Sequence, residues 1–304
     1  MSQTRRTAVM DVSNTVDVSD VAAVTGEVLK ILQRRYPGFD FAPVVQLTRD
    51  FSRLYAGDFP GFRACDIPYH DAQHVLDVTL AMARLLDGHD SFHAAEAGDH
   101  LGPEMAMAGI AAALFHDSGY IRRRRDSRNT SGAAYTRVHV SRSARFMDDY
   151  LPTVRLAHLA GVCTRIVHFT GYEIPPEEIE VHSDEERRLG ALLGSADLMA
   201  QMADVNYLAK CRDHLYREFE IGGMAGEQAV NGANAKVFLS PAHLLESTPT
   251  FIRDAIEVRL NGHFDGVHHF AATHFGGRHL YLEAIRVNYS NLQAVLASYS
   301  PTEK

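Results

Sequence analysis

The sequence predicts an all-α fold. Apolar residues recur with the 3.6-residue period of an amphipathic helix in one segment after another, and the alternating pattern of a β-strand is scarce. Short stretches rich in Gly, Pro and polar residues separate these segments. Because no internal repeat or low-complexity linker divides the 304 residues, we expect a single compact domain of about ten to twelve helices.

The domain is expected to begin at residue 19. Residues 1–18 are polar, follow no sustained period and predict a flexible N-terminal arm. Ser19-Asp20 is a typical N-cap for a helix over residues 21–35, which Tyr36-Pro37-Gly38 ends. A second amphipathic helix is expected from residue 42 to about residue 55.

The next segments surround a polar stretch. Helical spacing runs from residue 71 to residue 86, and an apolar helix without charge spans residues 105–115. Between them, residues 88–102 carry charges and glycines and predict a loop. Its three histidines are expected to be exposed: His89, His93 and His100.

The remaining helices follow the same periodicity. They are expected over residues 141–150, 154–169, 185–203 and 207–219. The helical domain 19–304 would then divide into a core over about residues 67–210 and a C-terminal helical part over residues 211–304.

Composition excludes several classes of protein. The formal net charge is -8, which argues against nucleic acid as a partner because phosphate binding needs clustered Lys and Arg. No stretch approaches the ~18 apolar residues of a membrane span. Cys65, Cys163 and Cys211 show no CxxC spacing, so we interpret them as reduced residues of a cytoplasmic protein.

Candidate metal ligands stand at the end of the apolar helix and at two further places. His116-Asp117 follows the helix directly, His70 and His74 share one helix face at a spacing of four residues, and Asp197 interrupts an apolar run. A carboxylate among apolar residues is costly unless it is paired or coordinated. Imidazole and carboxylate donors suit two divalent ions such as zinc, manganese, iron or magnesium, which would hold a bridging hydroxide and hydrolyse a phosphate ester.

These motifs resemble the HD superfamily of metal-dependent phosphohydrolases. Tyr69-His70-Asp71-x-x-His74-x-x-Asp77-Val78, His116-Asp117 and Ala196-Asp197-Leu198 are most similar to the class I 3',5'-cyclic nucleotide phosphodiesterases. The similarity extends to Arg217–Gly223 with Glu227 and to residues 248–252, so it covers about residues 45–260. It implies a compact multi-helix fold of the HD-domain, phosphodiesterase-like type.

The resemblance also implies roles for single residues. The first metal would be held by four of them: His74, His116, Asp117 and Asp197. Asp117 would bridge to a second ion, and His70 would be the general acid that protonates the leaving oxygen. Tyr69 would line the substrate pocket, and Phe251 would stack on a base.

The sequence departs from the phosphodiesterase pattern at two positions. Tyr120 replaces the last histidine of HD-x-x-H, and Thr248 stands near the glutamine that grips the purine. His139 and His168 lie where other HD hydrolases place ligands of a second metal. They are expected to be either such ligands or hydrogen-bonded core histidines.

Two histidine- or arginine-rich stretches have less specific interpretations. Arg122–Arg125 with Arg128 is either a solvated loop or a surface that attracts a phosphate-bearing molecule. Five histidines between residues 261 and 279 combine packing and exposed positions, or hold a further metal: His263, His268, His269, His274 and His279.

The expected function is therefore a cytoplasmic, two-metal phosphohydrolase that cleaves a 3',5'-cyclic nucleotide or a related small nucleotide phosphoester. Two alternatives remain open. One is an HD-type nucleotidase or dNTP phosphohydrolase, and the other is a catalytically silent regulator that binds metal or nucleotide.

Overall fold

The computed structural model describes residues 6–93, 100–226 and 238–299. Within these residues the chain consists of α-helices joined by short turns, and its extended pairings are isolated bridges such as that between Phe62 and Arg123. The predicted all-α class is therefore confirmed.

The helices up to residue 203 follow the predicted segments closely. They are α1 (Val21–Arg35), α2 (Ala42–Ala56), α3 (Ala72–Phe92), α4 (Gly102–Phe115), α5 (His139–Tyr150), α6 (Ala157–Ile166) and α7 (Asp184–Ala203). Short 3-10 turns connect several of them, including Ser118–Tyr120 after α4 and Val167–Thr170 after α6.

The C-terminal part is helical but less regular. It contains α8 (Tyr207–Lys210), α9 (Tyr216–Ile221), α10 (Pro241–Asp254), α11 (Phe270–His274) and α12 (Leu280–Tyr299). A π-helical turn, Cys211–Leu215, joins α8 to α9, and a longer π-helical stretch, Ala255–His263, continues α10. The single helix predicted over residues 207–219 is therefore interrupted by a π turn.

Side-chain caps lie at the N-termini of α3 and α7. The carboxylate of Asp71 accepts a hydrogen bond from the backbone N–H of His74 and caps α3. Ser183 caps α7 in the same way through the N–H of Glu186. The cap at Asp71 orients the first turn of α3, from which His74 projects.

The core lies around α3, α4 and α7, which pack against one another. All residues of α4 from Ala106 to Phe115 are buried, as the absence of charge along this helix predicts. Burial of apolar surface on this scale is the main stabilising contribution to such a fold.

Two predictions for polar segments were wrong. Residues 6–18 do not form a separate flexible arm, because Val16 and Val18 are buried and the buried carboxylate of Asp11 is bonded to Arg84 of α3. Residues 1–5 lie outside the described residues. The loop predicted at residues 88–102 begins later than expected, since α3 continues to Phe92.

The histidines of that predicted loop differ in their exposure. His89 is fully buried, His93 is half-buried and His100 is exposed. His89 is buried because its ring packs edge-on against Phe270 of α11 and bonds to the carboxylate of Asp90.

The cysteines and the helix lengths agree with two expectations. All three cysteines are free thiols, and Cys163 and Cys211 are buried. Among the described residues, none of the helices combines the length and apolarity that crossing a membrane requires.

Candidate metal centre

Four of the predicted metal ligands meet in the core between α3, α4 and α7. His74 lies in the first turn of α3, His116 and Asp117 directly follow α4, and Asp197 lies within α7. Because these three helices pack against one another, the four side chains face one small space.

The distances between these side chains are short. The Nε2 atom of His74 lies 3.3 Å from Oδ1 of Asp197 and 3.6 Å from Oδ2 of Asp117. The Nε2 atom of His116 lies 3.2 Å from Oδ2 of Asp117 and 3.8 Å from Oδ1 of Asp197. One ligand atom each from His74, His116 and Asp197 lies within 4.8 Å of the other two.

Two atoms of this group are buried without a hydrogen-bond partner, namely Nε2 of His116 and Oδ2 of Asp117. They are close enough to attract each other electrostatically, but their geometry does not make a hydrogen bond. Leaving buried polar atoms unpaired is costly, and a cation between them would satisfy both. The residues present therefore fit a divalent metal ion with imidazole and carboxylate ligands.

The tautomer of His116 supports this fit. Its Nδ1 lies 2.8 Å from the carbonyl oxygen of Ala113, so Nδ1–H donates to that oxygen and Nε2 faces the carboxylates, where loss of its proton would free a lone pair for a metal ion. Burial alone would raise the pKa of Asp117, but the imidazoles of His116 and His70 outweigh it and hold this pKa far below its usual range.

The predicted general acid, His70, lies beside the metal ligands and is paired with Glu218 of α9. Its Nδ1 lies 2.7 Å from Oε2 of Glu218, and Oε1 of the same carboxylate accepts a hydrogen bond of 2.7 Å from the backbone N–H of Tyr69. Burial opposes protonation of His70, but Glu218 and Asp117 outweigh it and raise its pKa to about 9. At neutral pH the imidazole is therefore protonated.

Tyr120, which replaces a histidine of the phosphodiesterase pattern, forms an aromatic contact with two histidines. Its ring stacks on that of His70 at 4.6 Å and on that of His139 at 4.3 Å between centroids. Tyr120 is 2% exposed. It therefore fixes both imidazole planes by packing, where a histidine would act by hydrogen bonding.

The two candidate ligands of a second metal differ in position. The Nδ1 of His139 bonds to the carbonyl oxygen of Thr136, which leaves Nε2 directed at Oδ1 of Asp117 at 3.7 Å. His168 is half-buried in the turn Val167–Thr170, and burial lowers its pKa. Within the described ranges His139 contacts Asp117, whereas His168 makes no ion pair with Asp117 or Asp197, and its role as a ligand stays a prediction.

Of the predicted substrate-binding residues, one contacts His70 and two lie on α10. Tyr69 is buried with its ring edge-on to His70 at 4.9 Å between centroids, and its hydroxyl bonds to Gln201. Thr248 is buried in α10, where its hydroxyl donates to the carbonyl oxygen of Leu244 in the same helix. Phe251 is half-buried on α10. The roles of Thr248 and Phe251 toward a base stay predictions.

The arginine run after Asp117 lines an open cleft. Arg122 is bound to Asp66, whereas Arg123, Arg125 and Arg128 line a cleft of about 320 Å³ together with Arg142. Arg123 and Arg142 also line an adjoining cleft of about 150 Å³ that reaches Ser118 and Gly119. The run thus lines a surface cleft near the turn Ser118–Tyr120, and neither cleft is lined by His70 or by a predicted metal ligand.

The five C-terminal histidines separate into three environments. His263 is exposed near Glu177, and Nδ1 of His274 bonds to Asp87 at 2.6 Å. The other three, His268, His269 and His279, form one cluster. Burial and the neighbouring imidazoles lower the pKa of His268 to about 3, and the same causes lower that of His279 to about 4.

The contact between Glu218 and His70 was not predicted from the sequence. Glu218 lies in the stretch Arg217–Gly223 that resembles the phosphodiesterases, yet no periodicity connects it to His70 across the chain. The available signal was its position as an acidic residue within that motif, at a site that the structure buries to 1% exposure.

The fold and the site together define an all-α protein with a buried histidine and aspartate group suited to a metal. A family model described as Npun_R2479-like matches residues 125–275. The matched region contains His139, Asp197 and Glu218, while His70, His74 and His116-Asp117 precede it. A comparison with curated proteins gave no match.

Proposed function

We propose that the protein is a metal-dependent phosphohydrolase of the HD type that cleaves a phosphodiester bond in a 3',5'-cyclic nucleotide or a related small nucleotide. The observation that carries this proposal is one arrangement. Four buried side chains with donors suited to a metal, His74, His116, Asp117 and Asp197, lie beside His70, whose Nδ1 is paired with Glu218.

The metal ligands would divide between two ions. His74, His116, Asp117 and Asp197 would hold the first, while Nε2 of His139, which faces Oδ1 of Asp117, would hold the second together with that carboxylate. When bound, such ions supply Lewis-acid polarisation of a phosphoryl group and lower the pKa of a water molecule. The four donors of the first site are buried, which strengthens the electrostatic interactions among them.

His70 supplies the proton in this proposal. Since Nδ1 is engaged by Glu218, the proton on Nε2 is the one available to the departing ester oxygen. As the oxygen of a water molecule that has lost a proton bonds to phosphorus, the bond from phosphorus to the departing oxygen breaks, that oxygen takes the proton from Nε2, and His70 becomes neutral. Glu218 stabilises the protonated ring beforehand and fixes its orientation through the second hydrogen bond to Tyr69.

The His70–Glu218 pair supports an enzyme over a silent metal- or nucleotide-binding regulator. A regulator needs no protonated imidazole beside its ligands, and burying the ionic pair costs desolvation energy.

The experiment that tests the proposal combines metal content with substrate turnover. Purified protein is assayed with added manganese against cyclic AMP, cyclic GMP, bis(p-nitrophenyl) phosphate, a nucleoside monophosphate and a dNTP. We expect turnover of a cyclic nucleotide well above that of the model diester. Turnover confined to the monophosphate or dNTP would establish the nucleotidase alternative. Bound metal without turnover of any ester would contradict the enzymatic proposal.

A further inference from the structure

A second group of histidines lies in the C-terminal part of the chain, outside the candidate metal centre. His268, His269 and His279 each offer one imidazole nitrogen, and these three atoms lie within 4.8 Å of one another. The ring centroids of His268 and His269 are 4.0 Å apart, and that of His279 lies 5.5 Å from the first and 5.8 Å from the second. We name this group the tail histidine cluster.

The local fold builds this cluster from two separate turns. His268 and His269 lie in the 3-10 turn Val267–His269, directly before α11, and His279 directly precedes α12. Between α11 and His279 the chain passes through Gly276 and Gly277, whose φ angles of 68° and 102° belong to the left-handed region. These two glycines turn the chain so that His279 returns to the other two rings.

The cluster contains buried nitrogen atoms without partners. His268 is 1% exposed, and its Nδ1 has no hydrogen-bond partner. The Nε2 of His279 is likewise buried and unpaired. Three imidazoles packed this closely, with no carboxylate in the group, leave polar nitrogens unsatisfied, which is costly in a folded protein.

The cluster is remote from the centre that contains His74. A Cβ atom at Gly88 would lie 1.9 Å from the carbonyl oxygen of Phe270, so the residue after His269 contacts α3 at Gly88. His74 lies roughly four turns earlier in α3, about 21 Å away at 1.5 Å per residue. The two groups therefore cannot share an ion.

We propose that the tail histidine cluster binds one transition-metal ion of the zinc, nickel, cobalt or copper class. Three imidazoles without a carboxylate favour these ions over magnesium, calcium and manganese, which prefer oxygen ligands. A tetrahedral ion with Zn–N distances of about 2.0–2.1 Å holds its nitrogens about 3.3 Å apart. The three nitrogens lie within 4.8 Å of one another, so small rotations of the rings would bring them to that spacing. His269 is exposed and gives the ion a path from solvent.

Binding has one local cost. Nδ1 of His279 accepts a hydrogen bond of 3.2 Å from the backbone N–H of Leu282. Coordination through Nε2 moves the ring proton to Nδ1 and gives up this bond. In return, the ion links the turn Val267–His269 to the start of α12, which stabilises the C-terminal part.

The test uses the full chain, expressed without a histidine tag and purified without immobilised metal. Zinc and cobalt stoichiometry are measured by elemental analysis and calorimetric titration after excess metal is removed. His269→Ala should lose one equivalent relative to wild type and lose the increase in melting temperature that zinc gives. His263→Ala removes a nearby exposed histidine outside the cluster and should keep both.

A second comparison separates the cluster from the proposed active site. In the variant His74→Ala, Asp117→Ala, one equivalent of cobalt should still bind, and adding His279→Ala should remove it. If His269→Ala and His263→Ala bind equal amounts of zinc and cobalt, the proposal is wrong. Loss of all cobalt binding in His74→Ala, Asp117→Ala with an unchanged circular dichroism spectrum would also overturn it.

Discussion

The carboxylate of Glu218 binds His70 and the backbone of Tyr69 at the same time. One oxygen lies 2.7 Å from Nδ1 of the imidazole, and the other accepts the N–H of Tyr69 at the same distance. Glu218 is 1% exposed, so its charge is little screened and acts mainly on His70. This pair determines the protonation state of the proposed general acid.

Removing the charge of Glu218 should therefore change how activity depends on pH. A general acid works only while it is protonated, so activity of the wild type should fall as pH rises through about 9, the raised pKa of His70. Glu218→Gln removes the largest contribution that raises this pKa, and the fall should move about 1–3 pH units lower. The measurement is the pH profile of kcat with the best cyclic nucleotide.

Glu220→Gln is the matched control for this experiment. It removes an exposed carboxylate from the same helix, α9, and should leave the pH profile unchanged. An equal shift in both variants would mean that the general electrostatic field, and not the contact with His70, sets the profile.

The proposed division of roles predicts different losses at His70 and Asp117. His70→Ala should lower turnover by about 10²–10⁴-fold, the usual range for a general acid, with bound metal intact because His70 is not a ligand. Asp117→Ala should lose metal, since this carboxylate contacts His74, His116 and His139. Both expectations are checked by measuring metal content and turnover of the two variants. Equal loss of metal in the two variants would refute the division.

His139 and His168 should differ when the second ion is counted. Because Nε2 of His139 lies 3.7 Å from Asp117, His139→Ala should keep one bound ion and lose the other. His168 lacks such an ion pair among the described contacts, so His168→Ala should keep both. Elemental analysis of the two variants, prepared in parallel, decides between them. Loss of metal from His168→Ala would instead show that His168 is a ligand, as its sequence position predicts.

The helices were predictable because local patterns determine them, whereas the meeting of His74, His116 and Asp197 was predictable only because their motifs resemble those of the phosphodiesterases. His74 lies in α3, Asp197 lies in α7 and His116 directly follows α4, and the packing of these three helices brings the side chains together. That they bind metal stays a prediction.

Long-range contacts were not predictable in the same way. Glu218 lies 148 residues after His70 in the chain, and no local pattern connects the two. His89 lies in a segment of polar composition, yet α11 covers it. The N-terminal segment has no period, and one buried carboxylate, Asp11, attaches it to α3. Tertiary contacts override local composition in all three cases.

Gly119 should be essential for packing beside the candidate metal centre. A Cβ atom there would lie 1.8 Å from the carbonyl oxygen of His139 and 2.8 Å from the backbone nitrogen of Ser143. Gly119→Ala must displace the backbone of α5 and should lower the free energy of unfolding by about 1–3 kcal/mol or more. Urea denaturation measures this difference.

The matched control is Gly26→Ala in α1. A Cβ at this exposed helical position meets nothing within 4 Å, so the substitution should stabilise the protein by about 0.5–1 kcal/mol. If Gly119→Ala were as stable as the wild type, the close approach of α5 to the turn Ser118–Tyr120 would not exist in solution.

Asp11 should make the stability of the protein depend on pH in acid. Burial alone would raise its pKa, but the Arg84 guanidinium and hydrogen bonds from Ser13 and Val16 outweigh it and lower the pKa to about 2. A carboxyl with a lower pKa in the folded than in the unfolded state stabilises the fold above the unfolded pKa, here about 3.9. That contribution, about 2 kcal/mol, is lost as pH falls from about 5 toward 2.

Asp11→Asn should remove this dependence as well as part of the stability at pH 7. It leaves Arg84, which is 2% exposed, without its carboxylate partner, and Tyr281 remains as its other contact. The difference in free energy of unfolding between wild type and variant should be largest at pH 7 and should shrink toward pH 2. Asp148→Asn, at an exposed position of α5, should show a small difference that does not change with pH. A constant difference for Asp11→Asn between pH 7 and pH 2 would show that Asp11 stabilises the N-terminal segment by packing and not by its charge.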